Sequence, residues 1–359
     1  MNPRFWRDTP VFVTGHTGFK GAWLSSWLLH MGARVTGYSL ASPTVPNLFE
    51  QLALGSRMAS IHGDVRDLGS LKREMSRSVP EVVIHMAAQS LVRRSYLEPL
   101  ETYSTNVMGT LNVLEAIREI DSVKAVVVVT TDKCYENRER HSGYDETEPL
   151  GGFDPYSSSK ACAEIVTASY RQAFFSDSKA RVGSARAGNV IGGGDWAADR
   201  LIPDLVRGWT VGKKPMVRNP DAVRPWQHVL EPLHGYLQLA ERLSDSGAAF
   251  AEAWNFGPDE ADHESVRSVA DRAAQLWGGD ASWISEQTDG PHEAGLLKLD
   301  STKARARLGW KPVWGLQNGL AATIEWYKAQ SKGQDVRALT DRQIEEFAGA
   351  HVVAGKASA

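Results

Sequence analysis

The chain has 359 residues, of which 42% are hydrophobic and 23% charged, as in soluble globular proteins with one large domain and a smaller lobe. Its 40 basic and 43 acidic residues give a net charge of −3, which offers no basic surface for nucleic acid. No apolar run approaches the roughly 20 residues of a membrane span, and the first residues lack the apolar segment of a signal peptide. We therefore expect a cytoplasmic protein with neither nucleic-acid nor membrane partners. Cys134 and Cys162 lack metal-ligand spacing, which indicates free thiols and no metal site.

Short apolar runs alternate with helical stretches through the first half of the chain. The predicted strands are 10–14, 33–39, 59–63, 81–86, 123–130 and 180–185. The predicted helices are 21–31, a helix from residue 68, 103–120, and 156–176. Apolar runs of this kind suit parallel strands that are covered on both faces. The alternation predicts an α/β fold, a Rossmann-type doubly wound parallel sheet.

The pattern changes after about residue 188, where loops rich in glycine and proline separate helical stretches at 231–244 and 265–277. We expect a dinucleotide-binding domain over 1–187 that also includes about 222–252. A smaller, interleaved C-terminal α/β substrate lobe is expected over 188–330, followed by a C-terminal helix or tail over 331–359.

A glycine-rich loop follows the first predicted strand and opens the first helix. Its sequence is Thr14-Gly-His-Thr-Gly-Phe-Lys-Gly21, so the candidate cofactor-binding residues are Gly15, His16, Thr17, Gly18, Phe19, Lys20 and Gly21. Glycines at this spacing permit a tight turn and close approach of the backbone to a pyrophosphate. The N–H groups at the helix N-terminus would then face the phosphates. The loop therefore predicts a dinucleotide site.

Three further strand ends are predicted to contact the dinucleotide. Ser39 occupies the position where a carboxylate usually holds the adenosine ribose of NAD, and no arginine follows that could hold an NADP phosphate. We therefore expect NAD, bound weakly. The other candidates are Asp64 and Val65 at the adenine edge, and Ala87, Ala88 and Gln89 in a turn of small residues along the dinucleotide.

Tyr156 and Lys160 stand four residues apart in Asp154-Pro-Tyr-Ser-Ser-Ser-Lys160. On a helix they share one face, so the ammonium can lie close to the phenol. A free phenol ionises near pH ~10, and a fixed positive charge favours the phenolate, which makes the tyrosine a better base. Four-residue spacing also occurs by chance in ordinary surface pairs, so this interpretation depends on the other motifs.

Taken together, these motifs resemble the extended short-chain dehydrogenase/reductase family, in its nucleotide-sugar 4,6-dehydratase branch. The resemblance runs from the first strand to about Trp314. Where that branch places Thr-Asp-Glu, this chain has Thr131-Asp132-Lys133. This departure is typical of the members of the branch that act on CDP-D-glucose. The same members are resembled by the motifs Gly192-Gly-Gly-Asp-Trp196, Arg224-Pro-Trp-Gln-His228 and His292-Glu-Ala.

The resemblance implies that Tyr156 removes the O4 proton while C4 passes a hydride to NAD, which later returns it to C6. Lys160 would lower the tyrosine pKa and hold the nicotinamide ribose, and Thr131 would hydrogen-bond O4 or the tyrosine. Asp132 would protonate the leaving C6 hydroxyl. Lys133 replaces the glutamate that removes the C5 proton, and it would act either as a neutral base or as an ammonium that stabilises an enolate.

For the substrate CDP-D-glucose, the candidate contacts are Ser90, Asn189, Arg200, Arg218, Arg224, Trp226, His228 and His292. Asn106 is expected to order a helix bend beside the tyrosine. Helices 103–120 and 156–176 would pair across a two-fold axis in a homodimer or homotetramer. The alternatives are a nucleotide-sugar 4-epimerase, a dehydratase of another nucleotide-sugar and a non-catalytic dinucleotide sensor. An epimerase needs no acid such as Asp132.

Overall fold

The computed structural model describes residues 2–285 and 295–357. Seven parallel strands form the main sheet in the order β7-β6-β5-β4-β1-β2-β3. They are β1 Pro10–Thr14, β2 Arg34–Ser39, β3 Ala59–His62, β4 Val82–His85, β5 Ala125–Val129, β6 Arg181–Ala187 and β7 Ala253–Phe256. The predicted doubly wound sheet is confirmed. Strand β7 was not predicted from the sequence, because it is short and carries the polar Asn255 in its middle.

Helices cover both faces of this sheet and build the lobe. The longer ones are α1 Phe19–His30, α2 Leu68–Ser78, α3 Gly109–Ile117, α4 Pro155–Ala173, α5 Leu201–Thr210, α6 Leu230–Ser246, α7 Val266–Trp277, α8 Leu316–Ser331 and α9 Val336–Ala357. Shorter helices are Pro3–Trp6, Leu48–Gln51, Val92–Leu97 and Pro99–Tyr103. The start of α4 is well defined, since the Asp154 carboxylate accepts the Ser157 N–H at 2.9 Å and Pro155 occupies the first turn.

The sheet separates two apolar layers. Along β5, Ala125, Val127 and Val129 pack into one layer, whereas Val126 and Val128 pack into the other. The first layer contains the large buried tryptophans of α1, β7 and α8. Burial on both faces explains why the strand reads as a continuous apolar run.

Three short strand pairs organise the lobe. Val190–Ile191 pairs with Gln227–His228, Val223–Pro225 with His263–Ser265, and Met216–Val217 with Ile284–Ser285. Helix α6 then returns to pack against β5 and β6, and β7 joins the main sheet beside β6. Within the described ranges, no helix combines the length and the apolar composition needed to cross a membrane.

The glycine at position 193 joins the lobe loop to the core. A Cβ there would lie 2.0 Å from Cγ of Trp326, and the Gly193 carbonyl accepts the indole N–H of Trp23 at 2.9 Å. We expect Gly193→Ala to lower the free energy of unfolding by about 1–3 kcal/mol, because the buried indole must move. The control is Gly349→Ala in α9, where a Cβ would meet no atom within 4 Å. Urea unfolding measures both variants, and equal stabilities would contradict the packing described.

Candidate functional site

A cavity of about 550 Å³ lies between the carboxyl ends of the central strands and the lobe. It runs from the glycine loop after β1 to the lobe strand Met216–Val217. Ligands of open parallel sheets bind outside the carboxyl ends of the strands. A second groove of about 680 Å³, between α7, α8 and α9, contains none of the motif residues, so the first cavity is the candidate site.

The glycine loop is shaped for close approach of a ligand. Gly15 has φ +79°, and a Cβ on it would lie 2.7 Å from the Ala87 nitrogen. A Cβ on Gly21 would lie 2.1 Å from the Gly15 carbonyl oxygen. Side chains are therefore excluded at both positions, and Gly18, Phe19 and Lys20 at the N-terminus of α1 line the cavity. This arrangement fits the pyrophosphate of a dinucleotide.

The remaining loop side chains separate into two groups. Thr17 and Lys20 line the cavity, and the Thr17 hydroxyl lies 2.9 Å from the Ser39 hydroxyl. His16 is buried, with Nε2 2.7 Å from the Ser60 hydroxyl, and its ring fills the space above Gly37. Burial lowers the pKa of His16 to about 4 and keeps it neutral. Only the main chain of His16 is therefore available to a ligand.

The other predicted cofactor contacts also lie at strand ends around the cavity. Asp64, Val65, Ala87, Ala88 and Gln89 all line it. Asp64 accepts from the Arg66 guanidinium at 2.9 Å, and this hydrogen bond lowers the pKa of the carboxyl. These residues surround the space beyond the glycine loop, where the adenosine half of a dinucleotide would lie.

The predicted catalytic residues meet at the end of β5. Thr131 donates to the Asp132 carboxylate at 3.0 Å, and its hydroxyl lies beside Tyr156 and lowers the pKa of the phenol. Burial raises the pKa of Tyr156 to about 12, while Thr131 and the charge of Arg200 favour the phenolate. The Lys160 ammonium donates to the Val129 carbonyl at 3.2 Å and not to the Tyr156 phenol. Its effect on the Tyr156 pKa therefore stays a prediction.

Asp132 is the carboxylate of this cluster. It is 1% exposed, and burial raises its pKa, although nearby Lys133 opposes that rise. Its Oδ2 has no hydrogen-bond partner among the described residues. A Cβ on Gly188 would lie 3.0 Å from that oxygen, so a glycine keeps the approach open. A buried carboxyl with a free oxygen is suited to hold and deliver a proton.

Lys133 and Lys20 bring further positive charge to the cavity. Lys133 is half-buried in the turn Asp132–Cys134, and Lys20 extends from the first turn of α1. Burial and the charge of Arg200 lower the pKa of Lys20 to about 7, whereas Asp132 raises it. The site therefore gathers several cations near the buried carboxyl of Asp132.

Asn106 lies under the cavity in an irregular helix. The predicted helix 103–120 is interrupted by a π-helical turn, Ser104–Met108, before α3 begins. The Asn106 amide donates to the Gln89 carbonyl at 2.9 Å and to the Ser159 hydroxyl at 2.8 Å, and it accepts from the Gln89 N–H at 2.8 Å. It thus joins the turn after β4 to the helix that carries Tyr156.

Six predicted substrate residues line the cavity: Ser90, Asn189, Arg200, Arg218, Arg224 and Trp226. Arg200 donates to Asp195 at 2.8 Å and to the Ser90 hydroxyl at 3.2 Å, which joins the lobe to the sheet. Arg218 donates to Asp199 at 2.9 Å. The sequence analysis assigned no role to Asp195 and Asp199. Asp195 stands in the quoted motif Gly192–Trp196, whereas nothing in the local sequence distinguishes Asp199.

Two predicted substrate residues lie elsewhere. His228 is fully buried between Trp23 and Trp314, with ring centroids 5.7 and 5.1 Å away, and it does not line the cavity. Burial lowers its pKa to about 3. Trp226 precedes the strand Gln227–His228 and lines the cavity instead. His292 lies outside the described residues.

The three hydrogen bonds of Asn106 give a prediction for the site. An aspartate at this position cannot donate to the Gln89 carbonyl or the Ser159 hydroxyl, and its charge would be buried. We expect Asn106→Asp to lower the free energy of unfolding by at least about 2 kcal/mol in urea. Asn318→Asp on the exposed side of α8 is the control and should change little. An equally small effect of both substitutions would contradict the role of Asn106.

The comparisons with known proteins agree with this geometry. The GDP-mannose 4,6 dehydratase family model matches residues 12–323. A CDP-glucose 4,6-dehydratase from Salmonella typhimurium is 51% identical over 355 residues, covering 98% of this chain and 99% of the relative.

Solved structures show the same fold. A dTDP-glucose 4,6-dehydratase from Streptomyces venezuelae with NAD bound is 26% identical at a TM-score of 0.77, covering 90% of this chain and 98% of that one. A UDP-glucose 4-epimerase from Thermotoga maritima has a TM-score of 0.78 at 22% identity, covering 89% and 99%, which is a likeness of fold alone. With the matched family model and the full-length relative, these findings show that the chain belongs to the GDP-mannose 4,6 dehydratase family, in the nucleotide-sugar dehydratase branch of the extended short-chain dehydrogenase/reductases.

Proposed function

We propose that the protein is an NAD-dependent 4,6-dehydratase that converts CDP-D-glucose to CDP-4-dehydro-6-deoxy-D-glucose and water. The observation that carries this proposal is the cluster of Thr131, Asp132 and Lys133 beside Tyr156 at the end of β5. It combines a hydroxyl, a buried acid and a lysine, and the 51% identical relative bears the same activity in its name. A 4-epimerase would need the tyrosine and the dinucleotide but no acid to expel a hydroxyl.

The residues present fit NAD. Gly15 and Gly21 leave a space that side chains at these positions would fill, and this space suits the pyrophosphate. The hydroxyls of Ser39 and Thr17 suit the adenosine ribose. Lys160 would hold the nicotinamide ribose. Bound NAD would supply the hydride acceptor for C4 of the sugar and the hydride donor for C6. Because Ser39 offers no carboxylate, we expect weak binding of the cofactor.

Tyr156 is the proposed base for the O4 proton. With a pKa of about 12 the phenol is protonated at neutral pH, so the groups that favour its phenolate decide whether it can act. Thr131 does so through its neighbouring hydroxyl and Arg200 by its charge, and Lys160 is proposed to do so by the approach of its ammonium. The phenol is buried, and charges interact strongly in a buried site.

Asp132 and Lys133 are the proposed pair for the elimination of water. Burial raises the pKa of Asp132, which favours the protonated carboxyl that would deliver a proton to the leaving C6 hydroxyl. Lys133, adjacent in the turn, is proposed to meet the C5 proton or the enolate that its removal creates.

The cations of the cavity, Arg218 and Arg224 among them, suit the substrate pyrophosphate.

Oligomer and location are part of the proposal. Apolar side chains are exposed on the helices between residues 92 and 117 and on α4, with Leu97, Leu100 and Ile165 at 80%, 86% and 56% exposure. Such a surface supports a homodimer through these helices, or a tetramer built from two such pairs. The free thiols of Cys134 and Cys162 suit a reducing cytoplasm.

The test is incubation of the purified protein with NAD and, separately, CDP-, UDP-, dTDP- and GDP-glucose, followed by mass spectrometry of the products. We expect loss of one water from CDP-glucose alone. Unchanged mass with an inverted C4 stereocentre would indicate an epimerase. Loss of water from another donor would reassign the base, and no change with any donor would refute the proposal.

Lys133 can be tested separately. We expect Lys133→Ala to lower the rate of dehydration by at least about a hundredfold, because it removes the group that meets C5, while oxidation at C4 continues in part. Absorbance of the reduced cofactor follows the oxidation, and product mass follows the elimination. The matched control is Lys179→Ala, an exposed lysine in the turn before β6, which should behave like the wild type. Rapid dehydration by Lys133→Ala would remove this lysine from the mechanism.

A further inference from the structure

A buried ion pair lies behind the catalytic residues and is not used by the mechanism above. Arg186 of β6 donates to Oε2 of Glu164 of α4 at 2.9 Å, and the two residues are 4% and 3% exposed. Neither lines the cavity. A buried ion pair contributes little net stability, because desolvation offsets the attraction. Stability alone therefore gives weak grounds for placing two charges there.

The pair is part of a hydrogen-bond network that reaches the loop 130–135, which carries Thr131, Asp132 and Lys133. The Glu164 carboxylate also accepts from the Thr130 hydroxyl through Oε1 and from the Ser184 hydroxyl at 2.7 Å through Oε2. Arg186 donates to the Tyr135 hydroxyl at 2.8 Å, and Tyr135 donates to Asn255 at 2.7 Å. The network thus connects α4, both ends of the loop 130–135, β6 and β7.

Glu164 lies on the same helical face as the proposed catalytic residues. Tyr156, Lys160 and Glu164 follow one another at intervals of four residues on α4. The Lys160 ammonium donates to the carbonyl of Val129, and the carboxylate accepts from the next residue, Thr130. A cation and an anion of one helix therefore bind consecutive residues at the strand end that continues into Thr131 and Asp132.

The Glu164 carboxylate favours the protonated form of Lys160. Burial lowers the pKa of Lys160 to about 8, and the Glu164 carboxylate is the largest influence that raises it, followed by the Cys134 thiol. Other neighbours are His85 of β4, which burial keeps neutral, and Lys20 of α1, whose charge repels the ammonium. Around Glu164 itself lie Arg186 of β6 and Arg171 of α4.

We propose that Glu164, held in place by Arg186, is a positioning residue that keeps Lys160 as an ammonium and fixes the strand end that carries Thr131 and Asp132. This inference rests on the proposed function, since Lys160 matters through its action on Tyr156 and the nicotinamide ribose. Glu164 itself touches no reacting atom. Its carboxylate acts through the ammonium one helical turn away.

The test replaces Glu164 by glutamine, which keeps the shape and removes the charge. The titration midpoint of Lys160 is measured in the free protein by NMR of ¹³C-labelled lysine Cε, with Lys160→Met to assign the signal. We expect a midpoint near 8 in the wild type and at least about one pH unit lower in Glu164→Gln. The basic limb of kcat/KM should move down with it, which is about a tenfold loss of kcat/KM on the alkaline side.

Matched variants separate charge from structure. Glu164→Asp keeps the charge but shortens the side chain, and Ser184→Ala removes one neutral hydrogen bond from the same carboxylate. Both should lose stability and keep a midpoint close to that of the wild type. If Glu164→Gln does not fold, Arg186→Met carries the test, because losing the residue that holds Glu164 in place and favours its carboxylate should lower the midpoint.

The proposal is overturned if Glu164→Gln leaves the midpoint unchanged, if Glu164→Asp and Ser184→Ala lower it equally, or if Arg186→Met raises it or leaves it unchanged. The NMR titration needs neither substrate nor NAD. A wild type that fails to dehydrate CDP-glucose would therefore refute the proposed function while the titration still decides the role of Glu164.

Discussion

The burial of β5 on both faces is the constraint on which the site depends. Its alternate side chains pack into the two apolar layers, and its two edges are hydrogen-bonded to β4 and β6, so the strand is held from both faces and both edges. The chain that leaves its carboxyl end is therefore held at a defined height. Thr131 and Asp132 follow at once, and they meet Tyr156 because the capped start of α4 lies against the same end.

Burial also determines the proton chemistry of the cavity. It raises the pKa of acids such as Asp132 and Tyr156 and lowers that of bases such as Lys20 and Lys160, so each group moves toward its neutral form. Neighbouring charges oppose this effect for particular groups and favour their ionised forms. Arg200 favours the phenolate of Tyr156, and Glu164 favours the ammonium of Lys160. A site that must both accept and deliver protons gains from groups held near this balance.

Side-chain direction explains where the sequence analysis and the structure differ. His16 and His228 stand in motifs that surround the cavity, yet both rings are buried and neutral within the protein. Conversely, the roles of Asp195, Glu164 and Arg186 become visible only through partners that are remote in sequence, such as Arg200 and Thr130. A motif locates a stretch of backbone, but the packing of neighbouring elements decides which side chains face a ligand.

The sequence by itself determined the alternation of strands and helices, the glycine loop, and the spacing of Tyr156 and Lys160, because these depend on local periodicity and backbone conformation. Six of the seven strands were predicted close to their observed limits for the same reason. Three-dimensional packing was needed to show that β7 joins the sheet, that a π-helical turn interrupts the helix before α3, and that Glu164 binds Thr130 and Arg186. These features arise from contacts between residues far apart in the chain, and a local sequence pattern does not specify such contacts.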